Sequence, residues 1–358
     1  MMCLAAKAMG YNVAVLDPTP NCPAGQVADI EIVAAYNDME AIKKLAALSD
    51  VITYEFENID YDALAYLEGH AYLPQGSEVL KISQHRFREK STISSMGIPV
   101  ADFELIESSS DLKRHIAYPS VLKTTTGGYD GKGQVVIRSE ADMEKALKLA
   151  DEQECILEKF MPFTKEISVL VARSTNGDIS MFPIAENIHV YNIMHLSIAP
   201  ARLSKDLEAQ ALYCARKIAE NLNVVGVLAI EMFVVNDKIY VNELAPRPHN
   251  SGHYTIDACR TSQFEQHIRA VCGLPLGDPS QHTPVVMVNI LGDHMDKNDM
   301  SNLSSYLPLL DRGKLHLYGK AQAVDKRKMG HVNILGDIDE TLKAVNESII
   351  WKSWGTEA

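Results

Sequence analysis

Residues 121–138 read VLKTTTGGYDGKGQVVIR, and the fold turns on what joins the two apolar ends of this stretch. YPSVLK and GQVVIR are both short strands by composition. Between them, Gly127, Gly128, Gly131 and Gly133 let the backbone curl close to an anion and aim its N–H groups at it. The loop runs from strand to strand, so it is not a P-loop, which runs from a strand into a helix. It is closer in kind to a lid over a triphosphate, and Lys123 at the end of the leading strand supplies a point charge for phosphate. A mobile surface hairpin also uses glycine. Four glycines, Asp130 and the lysines Lys123 and Lys132 within eleven residues favour phosphate binding.

A second stretch, residues 230–253, reads IEMFVVNDKIYVNELAPRPHNSGH. Two strands flank a turn at Asn236 to Lys238. A three-residue loop sets Glu231 opposite Glu243 on one face, whereas a two-residue loop pairs Glu231 with Asn242. Carboxylates that close repel one another unless a cation sits between them. Ligands made only of oxygen select a hard ion, and Mg²⁺ bridging ATP phosphates is the usual answer. Two unrelated exposed glutamates would be the plainer reading, but Glu231 lies inside an apolar run. His249 and His253 are four apart, as in a zinc site on a helix. Pro246, Pro248 and Gly252 argue against a helix here, which favours a polar loop that contacts substrate.

Outward from these motifs the chain divides into three. Residues 1–90 alternate helix and strand (a helix closed by Gly10, then YNVAVLD, DMEAIKKLAALSD and the strand-like VITYEFE), which implies a parallel α/β domain. Residues 91–275 hold the two motifs, with a lid subdomain at about 97–160, a helix at 139–151, strands ECILEKF and EISVLVARS, and a long helix at about 205–222. Residues 276–358 carry the short strands PVVMVNIL, KLHLYG and GHVNIL, a small β-rich domain. The fold class is α/β and α+β.

With 358 residues, 46% apolar and 23% charged, the chain is a globular protein of two or three domains. Its formal charge of -13 repels polyphosphate, and its densest basic run is the three residues Lys326-Arg327-Lys328, so no nucleic-acid partner is expected. Six scattered cysteines with no CxxC pair suit a reducing compartment. No apolar run approaches the roughly 20 residues of a membrane span, and the expected location is cytoplasmic.

Other residues leave two readings open. Glu158 and Glu166 near strand ends could receive ribose or adenine, or be solvated charges; His189 in AENIHVYN is equally open. YGKAQAVDKRKMGH gathers Lys320, Arg327 and Lys328 into a phosphate pocket or a solvated turn. Glu55 and Glu57 follow an apolar strand, where ligands of open parallel sheets bind.

TTTGGYDGKGQ, VITYEFENI and NELAPRPHNSGHYT together resemble the 5-(carboxyamino)imidazole ribonucleotide synthetases, ATP-grasp enzymes of microbial purine synthesis, from residue 1 to about 351. The resemblance implies a three-part ATP-grasp architecture, a homodimer, and ATP held between the central and C-terminal domains. It places Arg86, Lys123, Glu158, Lys159, Phe160, Met161, Glu166, His189, Asn242 and Glu243 against ATP. The lid is then Gly128, Tyr129, Asp130, Gly131, Lys132, Gly133 and Gln134. Glu231 and Glu243 hold Mg²⁺; Asp130, Lys132, His249 and Asn250 lie near the reacting groups; Lys320 and Arg327 bind the ribonucleotide phosphate.

The implied reaction has bicarbonate attack the γ-phosphate of ATP, giving carboxyphosphate and ADP, after which the amine of aminoimidazole ribonucleotide takes up the carboxyl group. A formate-dependent transformylase, a biotin carboxylase or a non-catalytic nucleotide-binding protein are the rival readings. Family members begin with a strand and a GGGQLGR-type turn ahead of the helix that opens this chain. The expectation is therefore that roughly a dozen or more residues precede it in the native protein.

Overall fold

The computed structural model describes residues 1–128, 131–295, 303, 304 and 306–348. Its N-terminal part runs α1 (Met2–Ala8), β1 (Ala14–Asp17), β2 (Ile30–Val33), α2 (Met39–Leu48), α3 (Tyr61–His70), α4 (Glu78–Ser83) and α5 (Arg86–Ser95). The strands β1 and β2 pair in parallel, and Asp38 caps α2 by accepting the Glu40 and Ala41 N–H groups. The strand-like VITYEFE stretch forms no ladder. Its Ile52 N–H goes to the Tyr72 carbonyl (2.9 Å), while Ile52 and Tyr54 pack into the small core beneath α2 and α3. Apolar alternation there reports burial without strand pairing.

The next part is a four-stranded antiparallel sheet in the order β3-β6-β4-β5. It comprises β3 (Phe103–Ile106), α6 (Ser109–His115), β4 (Ser120–Thr124), β5 (Gln134–Ile137), α7 (Met143–Glu152) and β6 (Cys155–Lys159). The helix expected at 139–151 begins as a single 3₁₀ turn at Glu140–Asp142 and becomes α-helical from Met143. Leu122, Ile137, Cys155 and Leu157 bury one face of the sheet against α6 and α7. The other face is left for Lys123 and Glu158, because side chains alternate along a strand.

The largest sheet has nine strands in the order β12-β11-β7-β9-β10-β13-β15-β14, with β8 beside β7. In chain order these are β7 (Lys165–Arg173), β8 (Ile179–Met181), β9 (Ala185–Val190), β10 (Ile193–Ala199), α8 (Lys205–Asn221), β11 (Gly226–Val235), β12 (Lys238–Ala245), α9 (Thr255–Ala258), α10 (Gln263–Val271), β13 (Val285–Leu291), α11 (Leu307–Leu310), β14 (Gly313–Leu317), β15 (Lys328–Leu335) and α12 (Ile338–Glu347). The C-terminal strands continue the ladder of the middle part through β10 and β13. Leu207, Ala211, Cys214, Ala215 and Ile218 recur at helical spacing and bury one side of α8 on this sheet. Truncating Ile218 to Ala there costs about 2–5 kcal/mol.

Candidate active site

The hairpin β11–β12 closes through Asn236 and Asp237, with φ of 47° and 58°, the two-residue turn that needs positive φ at both positions. Val235 faces Lys238, and that register would pair Glu231 with Asn242. A bulge intervenes. The register shifts between Met232↔Val241 and Glu231↔Glu243, leaving Asn242 as the extra residue. Glu231 therefore does face Glu243, by a route that loop length alone does not show.

The two carboxylates differ in charge state. Burial, with Glu243 beside it, pushes Glu231 up to about 7. Burial acts against ionisation of Glu243 too, but the Arg86 guanidinium, 3.0 Å away, outweighs it and holds Glu243 below the ordinary carboxylate range. The Asn242 Oδ1 atom beside them is buried and accepts no hydrogen bond among the described residues. No group of three or more His, Cys, Asp or Glu among the described residues could hold a metal by itself. Two carboxylates and an amide oxygen fit a hard dication that draws its other ligands from phosphate and water.

His249 sits against this pair, its Nε2 3.4 Å from Glu231 Oε1. Burial, then Arg247 and Lys328, bring it down to about 3, so its ring is neutral. The Ser251 N–H donates to Nδ1 (3.3 Å), which leaves the proton on Nε2, facing Glu231. Asn250 lies in the same turn but exchanges both amide atoms with Asn289, at 3.0 and 2.7 Å, so its side chain is largely committed. His253 Nδ1 lies 3.0 Å from Gln263 Nε2. Glu166 (Oε2) and His189 (Nδ1) meet at 3.1 Å. Burial lowers His189, but Glu166 and then Glu231 raise it on balance.

On the small sheet, Lys123 reaches Glu158 at 2.9 Å and Lys90 reaches it at 3.6 Å. Glu158 is 3% exposed, which rules out a solvated charge. Burial opposes its ionisation, but Lys123 and then Lys90 bring it down to about 2. Burial lowers Lys90 despite Glu158, so the closer Lys123 carries most of that attraction. Arg86 bridges the two sheets, donating to Glu243 and to the Gly128 carbonyl (3.0 Å). A Cβ on Gly128 would lie 2.9 Å from the Lys132 carbonyl, and one on Gly131 would lie 2.6 Å from Asn192 at the β9–β10 turn. Gln134 opens β5 opposite Lys123.

Tyr129 and Asp130 lie outside the described residues. Lys132 is exposed. The Lys159 side chain is not brought to the cluster: strand alternation turns it to the opposite face from Glu158, where it pairs with Asp102 (3.7 Å). The Phe160 N–H is taken by the Pro119 carbonyl (3.2 Å), and the Met161 carbonyl accepts from Phe163 (2.9 Å).

Further along the chain, Lys320 donates to the Lys328 carbonyl (2.7 Å) and lies over the Tyr318 ring. Arg327 is exposed. Glu57 pairs with Arg247, which joins the YEFEN loop to the RPHN loop, and Glu55 beside it is exposed. Gln75 ties the same loops by donating to the Pro246 carbonyl (2.6 Å).

Sequence reasoning missed Gln75, Glu89, Lys90, Lys328 as a neighbour of Glu231 and His249, and the parallel Phe163–Phe233 stack (4.5 Å between centroids). Only Lys328 carried a signal, in the basic run.

A basic, glycine-lidded small sheet that faces an acidic pair on a larger one is how an ATP-grasp enzyme holds its nucleotide. An ATP-grasp domain model accordingly matches residues 91–264. On either side, a ribonucleotide synthetase preATP-grasp domain model matches 1–84 and a phosphoribosylaminoimidazole carboxylase C-terminal domain model matches 285–345. The chain is 55% identical to the N5-carboxyaminoimidazole ribonucleotide synthase of Bacillus subtilis (strain 168), covering 94% of this chain and 88% of that one.

Two crystal structures add to this. An ADP complex of an N5-carboxyaminoimidazole ribonucleotide synthetase superposes with a TM-score of 0.94 at 56% identity, over 99% of this chain and 94% of the other. The Aspergillus clavatus synthase with ADP and 5-aminoimidazole ribonucleotide gives 0.89 at 28% identity, over 99% and 94%. The chain belongs to the N5-carboxyaminoimidazole ribonucleotide synthase family.

Proposed function

We infer that this chain is an ATP-dependent ligase of purine biosynthesis that carboxylates 5-aminoimidazole ribonucleotide to its N5-carboxyamino product. The observation that carries the site assignment is the opposition of Glu231 and Glu243 across a bulge, beside the Lys123–Glu158 pair. Lys123, Arg86 and the backbone of the Gly128–Gln134 lid bind the ATP phosphates, and the Phe233 ring with Glu166 and His189 borders the nucleoside. Glu231, Glu243 and Asn242 would hold Mg²⁺, which when bound neutralises charge on the transferring phosphoryl group.

Bicarbonate oxygen attacks the γ-phosphorus and ADP leaves, giving carboxyphosphate; the lid excludes water from this labile acyl phosphate. The ribonucleotide amine then attacks the carboxyl carbon and inorganic phosphate leaves. His249, neutral with its proton on Nε2, donates a hydrogen bond into the site, with Asp130 and Lys132 from the lid and Asn250 beside it. Lys320 and Arg327 hold the ribonucleotide phosphate. A homodimer and a cytoplasmic location belong to this reading on the strength of the family resemblance. No helix among the described residues is long and apolar enough to cross a membrane.

The test is ADP release with aminoimidazole ribonucleotide and bicarbonate supplied singly and together. The reading requires both. Equal release without the ribonucleotide, or stimulation by formate, would overturn it.

A further inference from the structure

Glu89 and Lys90 are adjacent charges on α5, each 2% exposed, and no step above uses them. Both reach the backbone of β12, on either side of Glu243. The Lys90 ammonium donates to the Asn242 carbonyl (2.8 Å), and Glu89 Oε1 accepts the Leu244 N–H (2.8 Å). Asn242 is the extra residue of the bulge, the ladder resumes with Glu243 opposite Glu231, and Leu244 follows opposite Ile230. Arg86, one turn earlier on the same helix face, bonds the Glu243 side chain itself.

A bulged residue drops out of the cross-strand ladder, so something other than the neighbouring strand must hold its backbone. β12 is also the end strand of its sheet, and among the described residues its outer edge meets an isolated bridge from Val100 to Val241, which stops short of the bulge, rather than a further strand. Without the bulge, the two-residue turn would set Asn242 opposite Glu231 and turn Glu243 to the other face. We propose that Glu89 and Lys90 form a clamp on the Asn242 bulge that keeps Glu243 opposite Glu231, making them positioning residues for the divalent-cation site. The proposal rests on the assignment of that pair to the metal.

Two plainer roles are available. Lys90 could serve to neutralise Glu158, but Lys123 already lies closer to that carboxylate, and Glu89 has no part in it. The two residues could also serve to cover a strand edge. In that case their loss lowers stability and leaves metal affinity alone.

The experiment is Mn²⁺ titration by electron paramagnetic resonance on the full chain saturated with ADP, beside a melting curve for each variant. Lys90→Met and Glu89→Leu are each expected to weaken Mn²⁺ binding about 10–100-fold, the usual cost of removing a group that orients a metal ligand. Glu89→Gln keeps an oxygen that accepts the Leu244 N–H and is expected to bind Mn²⁺ like the parent. Glu89→Asp keeps the carboxyl group but is too short to reach that N–H. It is expected to weaken Mn²⁺ binding, and it decides the matter if the Leu or Met variant does not fold. Lower melting with parental Mn²⁺ affinity in the Leu, Met and Asp variants would overturn the clamp while leaving the metal assignment standing. Parental Mn²⁺ affinity in Glu243→Gln would remove that assignment instead.

Discussion

Ser168 Oγ donates a 2.7 Å hydrogen bond to Ser251 Oγ, and the direction of that bond leaves the Ser251 hydroxyl to reinforce the backbone N–H that places the His249 proton on Nε2. Ser197 donates to Asn187 Oδ1 (2.7 Å), and the Asn187 amide donates to Ser168 Oγ (3.1 Å). With Ser168 donating onward, the Ser251 hydroxyl is left to donate to His249 Nδ1, 2.8 Å away. Four buried side chains thus orient one ring.

Breaking this chain at Ser251 has a defined consequence. Ser251→Ala removes a neutral hydrogen bond of about 1 kcal/mol and loosens the ring, so kcat falls about 5- to 10-fold with little change in the Michaelis constant for ATP. Nitrogen chemical shifts of His249 check the cause: the backbone N–H at position 251 still donates to Nδ1, so the Nε2–H tautomer is expected to persist while the Nδ1 resonance moves with loss of the hydroxyl hydrogen bond. An unmoved Nδ1 resonance would disconnect the chain from His249.

Loss of a carboxylate at the acidic pair is more severe. Glu243→Gln weakens the dication at the phosphates and frees Arg86 from its partner. Turnover falls by at least roughly 100-fold, as when an electrostatic stabiliser of the transition state is lost. Near-normal turnover of the variant at low Mg²⁺ would contradict the assignment.

The C-terminal basic run divides by function. Arg327 is exposed, whereas Lys328 lies close enough to influence Glu231, His189 and His249. Arg327→Ala is expected to raise the Michaelis constant for the ribonucleotide and leave that for ATP nearly unchanged. Lys328→Met is expected to lower kcat instead. Parallel loss of ATP affinity in Arg327→Ala would show that the two phosphate sites have been confused.

The glycine lid, Lys123 and the β11–β12 hairpin were legible because each is local: a few adjacent residues define the loop, the strand end and the turn. The bulge was not, since one residue of slip leaves no mark on composition. Glu89 and Lys90 carried no signal in the sequence, and only packing of α5 against β12 makes them internal. VITYEFE alternates like a strand because Ile52 and Tyr54 face a core, and alternation says nothing of which backbone lies alongside. Glu158 stayed ambiguous until Lys90 arrived from another part of the chain.

Glu158 also links the site to stability. Its carboxyl is held at about 2, against an ordinary value of 4.5, by Lys123 and Lys90 working against burial. A depressed carboxylate stabilises the folded state above its unfolded pKa, and this contribution fades as pH falls from about 4.5 towards 2. The difference corresponds to roughly 3 kcal/mol at pH 7 and about 1 kcal/mol at pH 3. Glu158→Gln should therefore destabilise the chain strongly at pH 7, where it leaves the buried Lys90 and the half-buried Lys123 without their carboxylate, and much less at pH 3. Urea unfolding of both proteins at the two pH values measures this. A gap between them that is as wide at pH 3 as at pH 7 would mean that Glu158 is not the ionised partner of these lysines.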